Sequence, residues 1–172
     1  MNAAFRSIFL IIVLFATSAL PAPAPTKVAI FDFELIDTSL EGAINGPRAD
    51  EQRRLLALAE ELRRRLAQSG RYLPVDISPI ADEARASNLQ ACGGCDAKLA
   101  KRAGAELAMT GTVHKISNLI LNMSIYLRSA EDGHLVQQMN ASFRGNTDES
   151  WSRALDWLLR NRLLSGEGGA AH

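Results

Sequence analysis

The chain has 172 residues, a length for one domain, and its 19 Lys plus Arg balance 19 Asp plus Glu to a formal net charge of zero. Such a balance supplies no long-range field toward nucleic acid or anionic lipid. An apolar fraction of 47% is that of an ordinary globular protein.

The first twenty residues read as an export signal. Arg6 is a positive n-region, Ile8 to Ala16 a short uncharged h-region, and Thr17-Ser18-Ala19 offers the small residues that signal peptidase requires. Residues 1–19 are therefore expected to be a signal peptide, cleaved after Ser18 or Ala19. A retained span needs ~20 apolar residues, and this run is shorter and ends in Pro21-Ala22-Pro23-Ala24-Pro25. No Cys follows the h-region to carry lipid, and no second long apolar run occurs, so the mature form is expected not to span a membrane. Residues 20–26 form a stiff Pro/Ala linker, and the domain is expected over 27–164.

Lys27 to Leu35 reads as the first strand. Its early part is apolar on both faces, as in a central strand covered on both sides. Ile36 to Ala49, with Gly42, Asn45, Gly46 and Pro47, reads as a long loop of the kind that carries function or moves. Asp50 is expected to cap a helix that runs to Ser69, with Leu55, Leu58, Ala59, Leu62 and Leu66 as its apolar stripe and Gly70 as its stop. Glu60 with Arg64 and Glu61 with Arg65 are i,i+4 pairs. Tyr72 to Ile77 reads as a second strand, with Pro74 at an edge or at its start. A short helix follows over Ile80–Ser87, and a stronger one over Asp96–Ala103.

Glu106–Ile116, Leu119–Ser129 and Leu135–Phe143 read as the last three strands. The latter two are joined at Glu131-Asp132-Gly133-His134, since Asp-Gly between apolar runs signals a hairpin. Thr147–Leu164 is the final helix, and 165–172 a frayed tail. The fold class is α/β, a single mixed-sheet domain in the order β-α-β-α-β-β-β-α. Three main helices pack on a five-stranded sheet whose first strands are parallel and whose last three form a meander.

Two constellations carry chemistry. Cys92 and Cys95, the only cysteines, bracket two glycines just before a helix. Outside the reducing cytoplasm they are expected to be a disulfide. The reading is a local staple, with a thiol–disulfide oxidoreductase as the alternative, because a helix N-terminus stabilises a thiolate. Haem attachment would need His where Asp96 stands, and zinc two further ligands.

Asp32 and Glu34, two residues apart on a strand, with Asp37, Ser39 and Glu41 beyond, lie where parallel sheets gather ligands. They are the candidate ligand-binding residues, for a small polar ligand or a hard cation, against the alternative of solvated carboxylates with Asp37 or Ser39 capping a turn. His114, His134 and His172 have no triad or ligand partner at a recognisable spacing. Arg63-Arg64-Arg65 reads as a solvated helix face. Trp151 is assigned to the core, and Trp157 to its border or to an interaction patch. No catalytic residue, metal site or cofactor is expected, since no G-x-S-x-G, G-x-x-x-x-G-K, H-E-x-x-H or dinucleotide-binding glycine pattern occurs.

Three segments, Val28-Ala29-Ile30-Phe31-Asp32-Phe33, the run Ala97 to Leu107 and Thr110-Gly111-Thr112-Val113-His114-Lys115-Ile116, form a pattern similar to bacterial secreted domains of unknown function. Phe31 to Ser39 resembles that uncharacterised secreted family in particular. More distantly, the pattern resembles the TolB amino-terminal domain and the periplasmic domain of the curli-secretion channel protein. The resemblance covers Lys27 to Leu164. It implies an open mixed α/β sandwich and a periplasmic accessory or assembly module that binds another envelope protein, and it implies no catalytic residue. The β-propeller that accompanies the TolB domain and the membrane hairpins of the curli protein have no counterpart here.

Overall fold

A computed structural model of the chain describes residues 24–165. The signal peptide expected over 1–19, most of the linker and nearly all of the tail, including His172, lie outside the described residues. Strand β1 (Thr26–Ile30) runs parallel to β3 (Tyr72–Pro74) on one side and to β4 (Leu107–Lys115) on the other. Val28, Ala29 and Ile30 are all buried, as a doubly covered central strand requires. Strand β3 ends at Pro74, well short of Ile77; it is an edge strand, and because the Val75 N–H makes the bond to the Val28 carbonyl, the N–H that Pro74 lacks is not needed by β1. β4, β5 (Ile120–Ser129) and β6 (Leu135–Arg144) form the expected antiparallel meander.

The first strand is not continuous. β1 ends at Ile30, and β2 (Glu34–Asp37) resumes along the same side of β4. Ile30 faces Met109 and Glu34 faces Thr112, so the first ribbon carries one residue more than β4 between these pairs. The extra residue makes a bulge over Phe31-Asp32-Phe33, which inverts the side-chain alternation. Val28 and Ile30 face the major core before the bulge; Phe33 and Leu35 face it afterwards. Among the described residues the sheet thus has six strands, in the order β3-β1-β4-β5-β6 with β2 also on β4, rather than five.

The helices also exceed the three expected main ones. α1 (Leu40–Asn45) occupies the expected loop, and α3 (Ala81–Ala86), the short helix expected over Ile80–Ser87, follows a 3-10 turn at Ser78–Ile80. α2 (Ala49–Ser69) buries its predicted stripe, and Gly70 closes it with φ of 67°. Asp50 does not cap α2: Arg48 holds that position, and Asp50 sits in the first turn between the guanidinium groups of Arg48 and Arg54.

α4 (Cys95–Arg102) and α5 (Asp148–Leu158) complete the set, and α5 passes into one π-helical turn over Leu159–Leu163. Thr147 and Ser150 form the capping box of α5, so Thr147→Ala should cost about 1 kcal/mol in urea denaturation.

α2 and α5 pack on one face of the sheet, where Leu58, Leu62, Met109, Met123, Ile125 and Trp151 are central to the major core. A smaller core lies on the other face, built from Ala29, Phe31, Ile80, Leu89, Leu99 and Ala108. Among the described residues no helix is long and apolar enough to cross a membrane.

Candidate interaction site

The bulge opens a crevice. From the end of β1 the chain crosses to β3 through α2 on one face; from the end of β3 it returns to β4 through α3 and α4 on the other. The crevice lies outside the carboxyl ends of these parallel strands, where the two crossovers part, the usual binding position in such sheets. It measures about 630 Å³, floored by Phe31, Phe33, Leu55, Ile77 and Leu89. Asp32 and Glu34 both line it, so the structure brings this predicted pair together.

Neither acid stands alone. Arg63 of α2 reaches Asp32 at 3.1 Å and also donates to the Ile30 carbonyl at 2.8 Å, while Arg85 of α3 lies 3.7 Å from Asp32. Glu34 accepts the Leu89 N–H at 3.1 Å. Burial pushes the Glu34 carboxyl above its ordinary value, against the lowering effect of that bond.

Asp37 and Ser39 stand apart from this crevice. Asp37 accepts the Ser39 N–H and O–H at 2.9 and 2.6 Å, and the Ser39 hydroxyl caps α1 by accepting the Gly42 N–H at 3.0 Å. A Cβ at position 42 would collide with the Asp37 carboxylate.

The carboxylates of Asp37 and Glu41 converge on the ammonium of Lys115, at 3.2 and 3.0 Å, with Glu51 of α2 at 2.7 Å. The cation among these acids is thus the chain's own lysine. Lys115 and Glu51 are both fully buried. Burial alone would lower the Lys115 pKa, but Glu51, Glu41 and Asp37 together raise it above its ordinary value. Burial likewise pushes Asp37 up, and the Ser39 and Lys115 bonds outweigh it and hold the carboxyl low. Lys115, then Asn118 and Arg48, hold Glu41 low.

Glu51 lies in no motif, and Lys115 only in the segment that carries the family resemblance, yet their positions are legible. Met109, Gly111 and Val113 alternate inward along β4, and Lys115 is next in that series. Glu51 precedes Leu55 by four on the buried stripe of α2.

This ionic clamp holds α1 by its polar side, and α1 buries none of its residues. Leu40 and Ile44, one turn apart, point outward at 77% and 71% exposure. At the same end of the sheet lie exposed Ile36 of β2, exposed Ile116 and Leu119 of the β4–β5 turn and exposed Ile120 at the start of β5. The Thr38 N–H to the Lys115 carbonyl and the Ile116 N–H to the Ile120 carbonyl tie these segments into one end of the sheet. His114 joins the same end, its Nε2 2.9 Å from the Thr38 hydroxyl.

The remaining sequence candidates disperse. His134 bonds Asp132 within the hairpin turn. The arginine run is not one solvated face: Arg63 turns to the crevice, where it also takes Glu60, Arg65 pairs with Glu61 and Asp156, and only Arg64 is exposed. Trp151 is buried, and Trp157 is partly exposed beneath the Arg162 guanidinium.

Cys92 and Cys95 sit at disulfide distance, their Cα atoms 5.7 Å apart, at the entry to α4. A disulfide across so short a loop contributes about 2 kcal/mol on the entropic model. Cys92→Ser/Cys95→Ser should lower the unfolding free energy by that amount in urea, and reductant should do the same to the wild type.

Fold and site together define a single mixed α/β sheet domain with one apolar end and a crevice at its strand ends. Residues 26–163 match the model of a family described as "Protein of unknown function (DUF2380)", and the chain belongs to that family. No sequence among the curated proteins matches it.

Among solved structures it is similar to the lipoprotein GNA1162 from Neisseria meningitidis, at 13% identity over 83% of this chain and 99% of that one, with a TM-score of 0.53. It is also similar to the LpoB C-terminal domain from Salmonella enterica, at 14% identity over 70% and 84% of the two chains, with a TM-score of 0.49. A third likeness is to the PelC dodecamer from Paraburkholderia phytofirmans, at 11% identity over 83% and 92%, with a TM-score of 0.49. At these identities the likeness is one of fold. It is to these proteins, not specifically to the TolB amino-terminal domain or the curli-secretion protein.

Proposed function

We propose that the chain is a non-enzymatic accessory module of the bacterial envelope that is exported by residues 1–19 and binds another envelope protein through its apolar end. One observation carries this reading: Ile36, Leu40, Ile44, Ile116, Leu119 and Ile120 expose large apolar side chains at a single end of the sheet. Clustered apolar exposure marks a binding surface, whereas scattered exposure does not. α1 supports the reading, because its apolar side faces out while an internal ion cluster holds its polar side. The outer edge of β6, unpaired among the described residues, offers a second contact, where a partner strand can add to the sheet.

The test compares wild type with Leu40→Asp/Ile44→Asp in crosslinking from envelope extract. Both side chains are exposed, so stability should change by no more than about 0.5 kcal/mol in urea. The variant should lose a partner that the wild type captures. A wild type that captures nothing, or a variant that keeps the same partner, defeats the proposal.

The crevice favours a second reading, as a small-ligand site where Asp32 and Glu34 meet an apolar floor. Thermal shift against organic cations and divalent metals decides it, because a ligand of the folded state raises the melting temperature.

A further inference from the structure

A strand at the rim of a sheet needs a device that keeps other strands off. β3, at one rim, is short and ends on proline. β6, at the other, has no such device along its regular part. It runs for 10 residues with neither lysine nor proline, and its one charge, Arg144, stands at the end. The ladder to β5 fixes which of its backbone groups are spare. The Gly145 N–H bonds the Leu119 carbonyl, and in the same alternation Phe143, Ala141 and Met139 lie opposite Leu121, Met123 and Ile125. These residues therefore bond β5, and the N–H and C=O of Gln138, Asn140, Ser142 and Arg144 point to the open edge. All of the latter are exposed residues.

We propose that β6 pairs antiparallel with β6 of a second copy of this chain, with Ala141 on the two-fold axis, so that two sheets become one. This deepens the reading of β6 as a contact and leaves the apolar end free. The register is the one that pairs every spare group, Gln138 with Arg144 of the second copy and Asn140 with Ser142. A shift of the axis by one residue sets Arg144 against Val136, at the irregularity near Leu127/Arg128, or Gln138 beyond the end of the strand. The side chains agree with this register. On the helix side Met139 meets Phe143 and Ala141 meets Ala141, apolar on apolar. That row continues the lining of a groove of about 260 Å³ between β6 and α5, where Trp157 is partly exposed. On the other face Asn140 meets Ser142, an amide against a hydroxyl, as Asn122 and Ser142 already pair within the chain. Arg144 meets the Gln138 amide, so no like charges oppose each other. Such a self-complementary patch is what a two-fold interface requires. Arg144 lies opposite Ile120, so the antiparallel axis turns the two apolar ends in opposite directions.

Sedimentation of the purified protein should give twice the mass of one chain. Ala141→Cys should join two copies under mild oxidation, because a non-hydrogen-bonded antiparallel pair sets its Cα atoms about 4.5 Å apart, within disulfide reach. Gln138→Cys, also on the edge strand, should not, since it faces Arg144 rather than its own counterpart. Asn140→Lys/Ser142→Lys opposes like charges across the axis on an exposed face. It should abolish the dimer while the circular dichroism of the folded chain is kept. Amide exchange at Gln138, Asn140, Ser142 and Arg144 should be slow in the wild type and fast in this variant. Partner capture through Leu40 and Ile44 should survive in it, so the two readings fail separately. The proposal is overturned if the wild type sediments as a monomer at its highest soluble concentration. It is equally overturned if Gln138→Cys joins copies as readily as Ala141→Cys, or if the lysine variant stays dimeric. Slow exchange in a monomer also overturns it, because the edge would then be covered from within the chain.

Discussion

Lys115→Met should destabilise the domain by about 3–5 kcal/mol, the range for removing one member of a buried ion pair. The reason is Glu51, which is fully buried and has lost its direct countercharge once the ammonium is gone. Asn146 Nδ2 still donates to it at 2.6 Å and Arg48 stands 4.0 Å away, so the lower part of the range is expected. Its second oxygen already has no partner among the described residues, which leaves little capacity to absorb the loss. Adding Glu51→Gln to Lys115→Met should recover much of the stability, because an unpaired buried charge costs far more than an amide. Urea midpoints of the two single variants and the double form a cycle. Costs that simply add would show that the pair is not coupled.

The same cluster contributes to the acid limb of stability, beside Asp50, Asp76, Asp132 and Asp156, which are also held low. Asp37 and Glu41 are held below their ordinary values of 3.8 and 4.5 in the folded state. A depressed carboxyl contributes stability above its unfolded value and loses it as pH falls through the folded one. Wild type should therefore weaken progressively below about pH 4.5, first through Glu41 and then through Asp37. Lys115 has the opposite sign: its raised value contributes fully below 10.5 and is lost only as pH climbs through the folded value. Lys115→Met should show a flatter acid limb, since the lysine is one cause of both depressions.

How far this site could be read in advance differs by residue. Val28, Ala29 and Ile30 announced a doubly covered strand because burial on both faces leaves a continuous apolar run, and Leu55 to Leu66 announced the buried side of α2. Asp32 and Glu34 stand past the carboxyl end of β1, where the apolar run on both faces breaks off. Their shared crevice, however, comes from a bulge, and an extra residue between paired strands shows only against the partner's register. α1 was hidden because Gly42, Asn45, Gly46 and Pro47 read as loop residues; the Leu40 and Ile44 spacing, the Ser39 cap and the Glu41 first-turn acid were its local signals. Lys115 and Glu51 were hidden by chemical type. A lysine in a strand and a glutamate in a first helical turn are ordinary surface residues unless the alternation around them is followed to the end.

Gly111→Val should cost about 3 kcal/mol, at the upper end of what overpacking a core does. Gly111 lies opposite the bulge, and any Cβ there would collide with the edge of the Phe33 ring. That contact explains why the bulge sits where it does: the ring needs a β4 position without a side chain, and Gly111 is the inward residue between Met109 and Val113. A branched side chain must displace Phe33, and with it the segment that carries Asp32 and opens the crevice. Phe33→Ala alone should cost about 3–5 kcal/mol as a large-to-small core change. The double variant should cost clearly less than the sum, because the valine fills space that the ring has left. Urea denaturation of the three proteins measures this coupling. Strict additivity would mean that Phe33 and Gly111 do not determine one another, and the bulge would then need a different cause.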